Sequence, residues 1–250
     1  MRLRSPRGGV VALHHRSRRH VVCVLVLVVL SAARGPAQTA ASPPTGVAPV
    51  PGRHDATARH SFADVAHWAT VFDDPARDAW QQPQGVVRAL GIRPRMRVAD
   101  LGAGTGYFSR YLAAAVGEAG TVFAVDTEPN LVAHLRTRAE KERTANVVPV
   151  LASPENPRLP ENAIDVILIV DTVHHIDDRL NYFRRLQRFL TPTGRVAIID
   201  FKKEELPVGP PMEHKLDRQQ VVDELQQAGY QLVAEPDLLA YQYFLIFRPR

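Results

Sequence analysis

The chain has 250 residues, of which 45% are hydrophobic, enough for the core of one α/β domain with extensions. Its formal net charge of +5 is uneven, because the first 60 residues hold nine arginines and one acid and leave 22 basic and 25 acidic side chains for residues 61–250. This balance argues against nucleic-acid binding by the folded part, and a single cysteine excludes an internal disulfide and any site built from several cysteines.

Residues 1–35 have the three-part pattern of a secretory signal. Arginines precede an apolar run over residues 21–30, and small residues follow it. This run is short for a membrane span, and Ser17, Arg18 and Arg19 resemble a twin-arginine signal, the route that exports folded proteins. We therefore expect an exported, periplasmic or membrane-anchored protein. One alternative is that the segment is an uncleaved anchor. The other is that the start codon is assigned too far upstream, in which case the protein is cytoplasmic.

Residues 36–60 are rich in Pro, Ala and Thr and are predicted to form a disordered linker. The folded domain is expected to span residues 61–250. It begins with a helix whose predicted apolar face consists of Phe62, Val65, Ala66 and Ala69. Pro75 and Pro83 then interrupt the helical pattern, and a proline can start a new helix at its first position.

A glycine-rich stretch, VADLGAGTGYF at residues 98–108, is the strongest motif of the chain. An apolar strand leads into Asp100, three glycines alternate with small residues, and an apolar helical face begins at Phe108. Glycines in such a turn allow positive φ and bring bare backbone and helix N-terminal amides against a ligand. The spacing G-x-G-x-G differs from that of dinucleotide-binding folds, so a diphosphate is not the expected ligand. The alternative is a turn that merely closes a βαβ unit.

This motif, with the features that follow it, resembles the class I S-adenosylmethionine (SAM) dependent methyltransferases, and among them the small UbiE-like proteins. The resemblance runs from about Phe72 to the C-terminus. It implies an α/β fold with a Rossmann-like, seven-stranded, mostly parallel sheet in the order 3-2-1-4-5-7-6, the last strand antiparallel, and helices on both faces. It also implies that the segment before the first strand covers the substrate side, near Asp78, Trp80 and Gln81. Packing of Trp80 on the sheet edge is the alternative.

A second strand, TVFAVD, ends in Asp126 at the same sheet edge as Asp100. A carboxylate there can accept both ribose hydroxyls of an adenosine, a role that the resemblance also gives to this position. Capping of the next helix is the alternative. The family usually has an acid after the third strand that meets the adenine amino group, and this chain has Ser153 there instead. The predicted SAM-binding residues are Asp100, Gly102, Ala103, Gly104, Thr105, Gly106, Asp126, Thr127, Ser153 and Asp171.

The fourth strand, IDVILIV, is an almost unbroken apolar run, as a parallel strand buried on both faces requires. It ends in DTVHHI, and ligands of open parallel sheets bind outside the carboxyl ends of the central strands. The methyl group is therefore expected near His174 and His175, the predicted catalytic pair, either of which can accept a proton from the acceptor. The alternative is that one histidine packs or caps the next helix.

A helix over residues 179–190, a fifth strand RVAIIDF, a helix over residues 218–228 and two more strands are predicted to complete the fold. The proline-broken residues 201–215 are expected to form a substrate-side loop. The resemblance implies an enzyme that methylates a small molecule with SAM as cofactor, and we expect no metal, no nucleic-acid partner, and membrane association only through the N-terminal segment. A non-catalytic SAM-binding module and a nicotinamide-dependent oxidoreductase are the alternatives.

Overall fold

The computed structural model describes residue 62 and residues 64–250. The predicted signal over residues 1–35 and the predicted linker over residues 36–60 lie outside the described residues. These two segments, and the predicted start of the domain at residue 61, therefore stay predictions.

Strands of the described part form one sheet. They are β1 (Arg97–Leu101), β2 (Thr121–Asp126), β3 (Val147–Leu151), β4 (Ile164–Val170), β5 (Leu190–Phe201), β6 (Tyr230–Ala234) and β7 (Gln242–Pro249). Their order is β3-β2-β1-β4-β5-β7-β6, which confirms the predicted order. The first five strands pair in parallel, and β7 is antiparallel to both β5 and β6, as predicted.

Helices connect the strands. They are α1 (Val65–Phe72), α2 (Arg77–Gln81), α3 (Pro83–Ala89), α4 (Tyr107–Val116), α5 (Pro129–Glu142), α6 (Arg179–Leu186) and α7 (Arg218–Gln227). Short 3-10 turns cover Val173–His175, Gln187–Phe189 and Met212–His214. Pro83 is the first residue of α3, as the sequence predicted, because its missing N–H is not needed there.

Two apolar cores cover the two faces of the sheet. On one face, Phe183 of α6 and Leu225 of α7 pack against strand residues such as Ile198. On the other face, Val86 of α3 and Leu112 of α4 pack against a second set of strand residues. Residues of β4 belong to both cores, so this strand is buried on both faces as its apolar sequence predicted. The carboxyl ends of β1, β2, β4 and β5 therefore meet along one rigid edge.

The segment before β5 differs from the prediction. The expected helix over residues 179–190 ends at Leu186, a 3-10 turn follows, and the strand begins at Leu190. Residues 191–194, which lie between the expected helix and the expected strand, are therefore part of β5. The pairing explains why. Leu190 pairs with Ile164 and Arg195 with Val166, so the extra residues form a bulge within the ladder.

The first helix also differs from the prediction. An inward apolar face was expected there, but none of the residues of α1 is buried and Ala66 is exposed. The helix accordingly contributes no residue to the two apolar cores. Among the described residues, the rings of Trp68 and Phe72 stack with their centroids 5.1 Å apart.

Candidate functional site

The glycine turn between β1 and α4 is anchored on the neighbouring strand. The N–H groups of Gly102 and Ala103 donate to the carbonyl oxygen of Val125 at 2.9 and 3.0 Å. Gly102 has a φ of +77°, and a Cβ there would overlap the side chain of Thr172, so only glycine fits. The turn therefore presents bare backbone at the carboxyl ends of the central strands.

Asp126, at the end of β2, closes this turn from the side. Its Oδ2 accepts from the Gly104 N–H at 2.9 Å, and its Oδ1 accepts from the Glu128 N–H at 3.0 Å. Burial raises the pKa of Asp126, while the Glu128 and Gly104 amides act to lower it. Each carboxylate oxygen can accept a further hydrogen bond. The half-buried carboxylate can thus take ligand hydroxyls while the backbone fixes its orientation.

Asp100 lies beneath the turn. It is 3% exposed, and its Oδ2 accepts from the Ser109 hydroxyl at 2.6 Å. Burial raises the pKa of Asp100 to about 6, with Ser109 acting to lower it and Asp126 to raise it. Its observed partner ties β1 to α4, and the expected contact with a ligand ammonium or hydroxyl stays a prediction.

The other predicted cofactor residues of the turn and strand ends lie along the same edge. Ala103, Thr105 and Gly106 are buried, and the Thr105 hydroxyl has no hydrogen-bond partner among the described residues. Thr127 is exposed just beyond β2, and Ser153 follows β3 in a backbone bridge. Buried polar atoms usually have partners, so the Thr105 hydroxyl is an atom that a ligand can satisfy.

Asp171 follows β4 and has an unusual backbone and environment. Its φ of +51° is uncommon outside glycine, although aspartate tolerates it better than most residues. Its Oδ1 accepts from the Gln242 amide at 2.5 Å, and its Oδ2 accepts from the Arg77 guanidinium at 3.2 Å. Burial raises the pKa of Asp171 to about 7; Arg77 opposes the rise and Asp200 adds to it.

The two predicted catalytic histidines occupy different environments. His174 is 3% exposed, and its Nδ1 lies 2.8 Å from Oδ2 of Asp200, a fully buried carboxylate near the end of β5. Burial acts to lower the pKa of His174, but Asp200 and Asp171 outweigh it and the pKa is raised. His175 is half-buried, and its ring centroid lies 5.7 Å from that of Phe62. Of the pair, only His175 is partly accessible.

Sequence reasoning missed three residues of this edge: Arg77, Asp200 and Gln242. Asp200 follows the apolar run RVAII, so a search for acids near the carboxyl ends of strands would have found it, just as it found Asp126. Arg77 and Gln242 carry no such signal. They reach Asp171 from α2 and from the start of β7, which are distant in the sequence.

A cleft of about 500 Å³ lies beside this edge, a size suited to a small molecule. The segment after β5, the start of α7 and the β6–β7 connection supply its charged lining, which is balanced in sign: Lys202, Lys203, Asp217, Arg218, Glu235 and Asp237. Tyr243 also lines the cleft, and its buried hydroxyl has no hydrogen-bond partner among the described residues. Lys202 and Lys203 belong to the predicted substrate-side loop.

No group of at least three His, Cys, Asp or Glu side chains is arranged to hold a metal ion in the part of the chain that the structure describes. Among the same residues, no helix combines the length and the hydropathy needed to cross a bilayer. The expected absence of a metal and the expected membrane association through the N-terminal segment both stay predictions.

The folded part of the chain is similar to known methyltransferases in sequence. The family described as a methyltransferase domain matches residues 99–198. A ubiquinone/menaquinone biosynthesis C-methyltransferase UbiE from Ectopseudomonas mendocina is 32% identical over 123 residues, which are 49% of this chain and 48% of that protein. The chain therefore spans about half the length of the curated relatives it matches.

Solved structures show a similar likeness. A SAM dependent methyltransferase from Aquifex aeolicus has a TM-score of 0.71 and 28% sequence identity, over 76% of this chain and 98% of its own. Phosphoethanolamine N-methyltransferase 2 from Haemonchus contortus, solved with SAM, has a TM-score of 0.52 and 22% identity, over 60% of this chain and 37% of its own. The second likeness concerns the fold alone.

Proposed function

We propose that this chain is a class I SAM-dependent methyltransferase that transfers a methyl group from SAM to a small-molecule acceptor, because it resembles such enzymes in sequence and in fold. The observation that carries the proposal is the hydrogen bond of 2.9 Å between the Gly104 N–H and the Asp126 carboxylate. It joins the glycine turn to the acid of the second strand. Both residues lie within the stretch that matches the methyltransferase family.

The residues at this edge suit SAM. The backbone of the glycine turn can lie against the ligand, and the Thr105 hydroxyl, which has no partner within the described part of the chain, offers a polar contact. Asp126 would accept the ribose hydroxyls, and Ser153 would lie on the adenine side. When bound, SAM supplies a methyl group already activated on a sulfonium.

The main task of the protein is to hold donor and acceptor in line. Such alignment can supply about 7–11 kcal/mol of the barrier. The residues that would do this lie on the ends of β1, β2 and β4, strands whose central residues are buried in the cores. We assign binding of the acceptor to the cleft lined by Tyr243, because the hydroxyl of that residue has no hydrogen-bond partner among the residues that the structure describes.

An acceptor that arrives protonated must lose a proton as it is methylated. His174 is poorly suited to take that proton, because its Nδ1 is held by Asp200 and its pKa is raised. We therefore assign the proton-accepting role to His175. His174 has the role of pairing with the buried Asp200 carboxylate. The two histidines are then unequal, although they are neighbours in the sequence.

Calorimetric titration of the full chain with SAM, S-adenosylhomocysteine and NAD tests the cofactor. The proposal expects SAM and S-adenosylhomocysteine to bind and NAD to give no binding heat. NAD binding in the absence of SAM binding would instead favour a nicotinamide-dependent oxidoreductase.

The N-terminal pattern supports a further part of the proposal, that the protein is exported or membrane-anchored. The arginines at positions 18 and 19 precede the apolar run over residues 21–30. Fractionation of cells that express a C-terminally tagged chain tests this, with Arg18→Lys and Arg19→Lys combined as the comparison. Export that fails in the double variant supports it. Unprocessed chain found only in the soluble cytoplasm, with or without the substitutions, contradicts it.

A further inference from the structure

Four side chains form a closed hydrogen-bonded ring beside the glycine turn. Arg77 donates to Gln81 Oε1 from Nε at 3.2 Å and from Nη2 at 3.1 Å, and its Nη2 also lies 3.2 Å from Asp171 Oδ2. The Gln81 amide donates to Gln242 at 2.6 Å, and the Gln242 amide donates to Asp171 Oδ1 at 2.5 Å. Gln81 and Gln242 are almost fully buried. The ring joins α2 to the ends of β4 and β7.

The direction of every hydrogen bond in this ring follows from its two charged members. A guanidinium can only donate, so Arg77 forces Gln81 to offer its oxygen, and the Gln81 amide nitrogen must then face Gln242. Gln242 is oriented in the same way and donates to Asp171. An ionised carboxylate can only accept, which fits both of its neighbours. A protonated Asp171 would carry an O–H on one of its two oxygens, each of which faces a donor, and would lose the charge that attracts Arg77, so its protonation weakens the ring at this carboxyl.

Arg77 belongs to a segment, residues 65–82, that lies against the glycine turn and that we call the strap. The Phe72 ring lies 3.3 Å from the place that a Cβ on Gly104 would take. A second tie runs from Asp73 to Arg138 of α5 at 2.8 Å, and Arg138 also donates to the Thr105 carbonyl oxygen at 2.9 Å.

A third tie runs from the strap to α4. Asp78 accepts from the Tyr107 hydroxyl at 2.5 Å and from the Tyr111 hydroxyl at 2.8 Å. The Gln82 amide makes a further tie by donating to the Leu238 carbonyl oxygen at 2.8 Å. Of these ties, only the one made by Arg77 ends at Asp171.

We propose that Arg77 is a positioning residue that holds the strap closed over the glycine turn only while Asp171 is ionised. The inference rests on the proposed function in one respect, namely that the glycine turn receives SAM. Closure of the strap is a property of the protein alone and can be measured without SAM.

The groups that face Asp171 from the surrounding elements set its pKa near neutrality. Arg77 on α2 and His174 on the 3-10 turn favour the ionised form, as does the Gln242 amide on β7. Burial and the Asp200 carboxylate on β5 oppose ionisation of Asp171. The Tyr243 phenol interacts electrostatically with both Asp200 and Asp171. With the pKa raised to about 7, the strap is expected to close above neutrality and to loosen below it.

The chain contains two tryptophans, and both lie in the strap. The Trp80 ring centroid lies 5.8 Å from that of Phe201 and 6.3 Å from that of Tyr241, at the edge formed by β5 and β7. In a Trp68→Phe background, fluorescence therefore reports the docking of Trp80 alone. This protein is titrated without SAM, and circular dichroism at each pH checks the fold.

The expected result is one fluorescence step at or above pH 7, because loss of the Arg77 contact in the open form raises the pKa of Asp171 above the value of about 7 that it has in the closed form. Asp171→Asn should abolish the step. Arg77→Gln should give the undocked signal at every pH, and Arg77→Lys should restore part of the step. Asp73→Asn is the matched control, because it breaks a different tie of the same strap and should keep the step. Gln242→Leu leaves the contact between Arg77 and Asp171 in place and removes an amide that favours the ionised form, so it should keep the step and move it to higher pH; this variant serves if Asp171→Asn does not fold.

A second measurement follows the release of SAM above neutral pH. Arg77→Gln should release SAM at least about fivefold faster than the parent, the lower end of typical coupling between linked sites. A step that persists in Asp171→Asn, or an Arg77→Gln protein that keeps the parent step, would overturn the inference. A clear step in a protein that binds no SAM would support the strap and contradict the proposed function, so the two can fail separately.

Discussion

Replacement of Asp126 by alanine tests the cofactor site at its most specific contact. The Asp126 carboxylate is held by the Gly104 and Glu128 amides at 2.9 and 3.0 Å and keeps lone pairs for ligand hydroxyls. Loss of a charged acceptor in a half-buried site costs about 1–3 kcal/mol of binding free energy. Since about 1.4 kcal/mol corresponds to a tenfold change, the Kd for SAM should rise by about 5- to 150-fold.

Isothermal titration calorimetry measures this change directly. Asp126→Asn keeps one acceptor oxygen and should fall between the wild type and Asp126→Ala. Glu118→Ala removes an exposed acid between α4 and β2, away from the predicted site, and should bind SAM as the wild type does. An Asp126→Ala protein that is folded by circular dichroism and keeps the wild-type Kd would refute the ribose-binding role.

The remaining predictions concern stability and turnover. His174→Ala should lower the free energy of unfolding by about 3–5 kcal/mol, because it removes the histidine partner of the buried Asp200 carboxylate, which keeps its hydrogen bond from the Phe201 N–H at 2.8 Å. His175→Ala should lower methyl transfer while leaving SAM affinity almost unchanged. Glu224→Ala should also cost about 3–5 kcal/mol, because it strips a buried guanidinium of carboxylate bonds at 2.6 and 3.0 Å. Asp171→Asn should flatten the fall of stability between pH 4 and pH 7, since the folded pKa is raised from 3.8 to about 7.

The sign of the last prediction follows from proton binding. Between the unfolded and the folded pKa of Asp171 the folded protein holds the extra proton, so its stability falls as pH rises through this window and then levels off. Urea unfolding at several pH values measures this fall and the losses at His174 and Glu224. Equal, purely destabilising effects of the two histidine variants would contradict the division of roles. A wild-type stability in Glu224→Ala, or the same pH slope in Asp171→Asn, would contradict the other two predictions.

Much of the fold and part of the site could be predicted because their signals are local. Each strand that ends at the site shows a continuous apolar run, and parallel strands bring their carboxyl ends to one edge. Asp100, Asp126 and Asp171 could therefore be placed at that edge from the sequence alone. The glycine turn could also be predicted, because its glycines are closely spaced in the sequence. The structure agrees, since the position of Gly102 tolerates no Cβ.

The rest could not be read because it depends on pairing between distant residues. Arg77 and Asp171 are 94 residues apart, and Gln81 and Gln242 are 161 residues apart. The sequences of α2 and of the start of β7 contain no pattern that indicates these hydrogen-bond partners. The two histidines pose a different problem. They lie on a three-residue 3-10 turn, where no strand or helix period says which side chain faces the core.

The measurement that tests the proposed function most directly is methyl transfer from SAM labelled on its methyl group. The full chain is incubated with labelled SAM and a small-molecule extract of cells, and the products are separated and analysed by mass spectrometry. A labelled small molecule and matching S-adenosylhomocysteine should form with the wild type and fall with Asp126→Ala. Tight binding of SAM without any protein-dependent labelled product would contradict methyl transfer and favour a non-catalytic SAM-binding module.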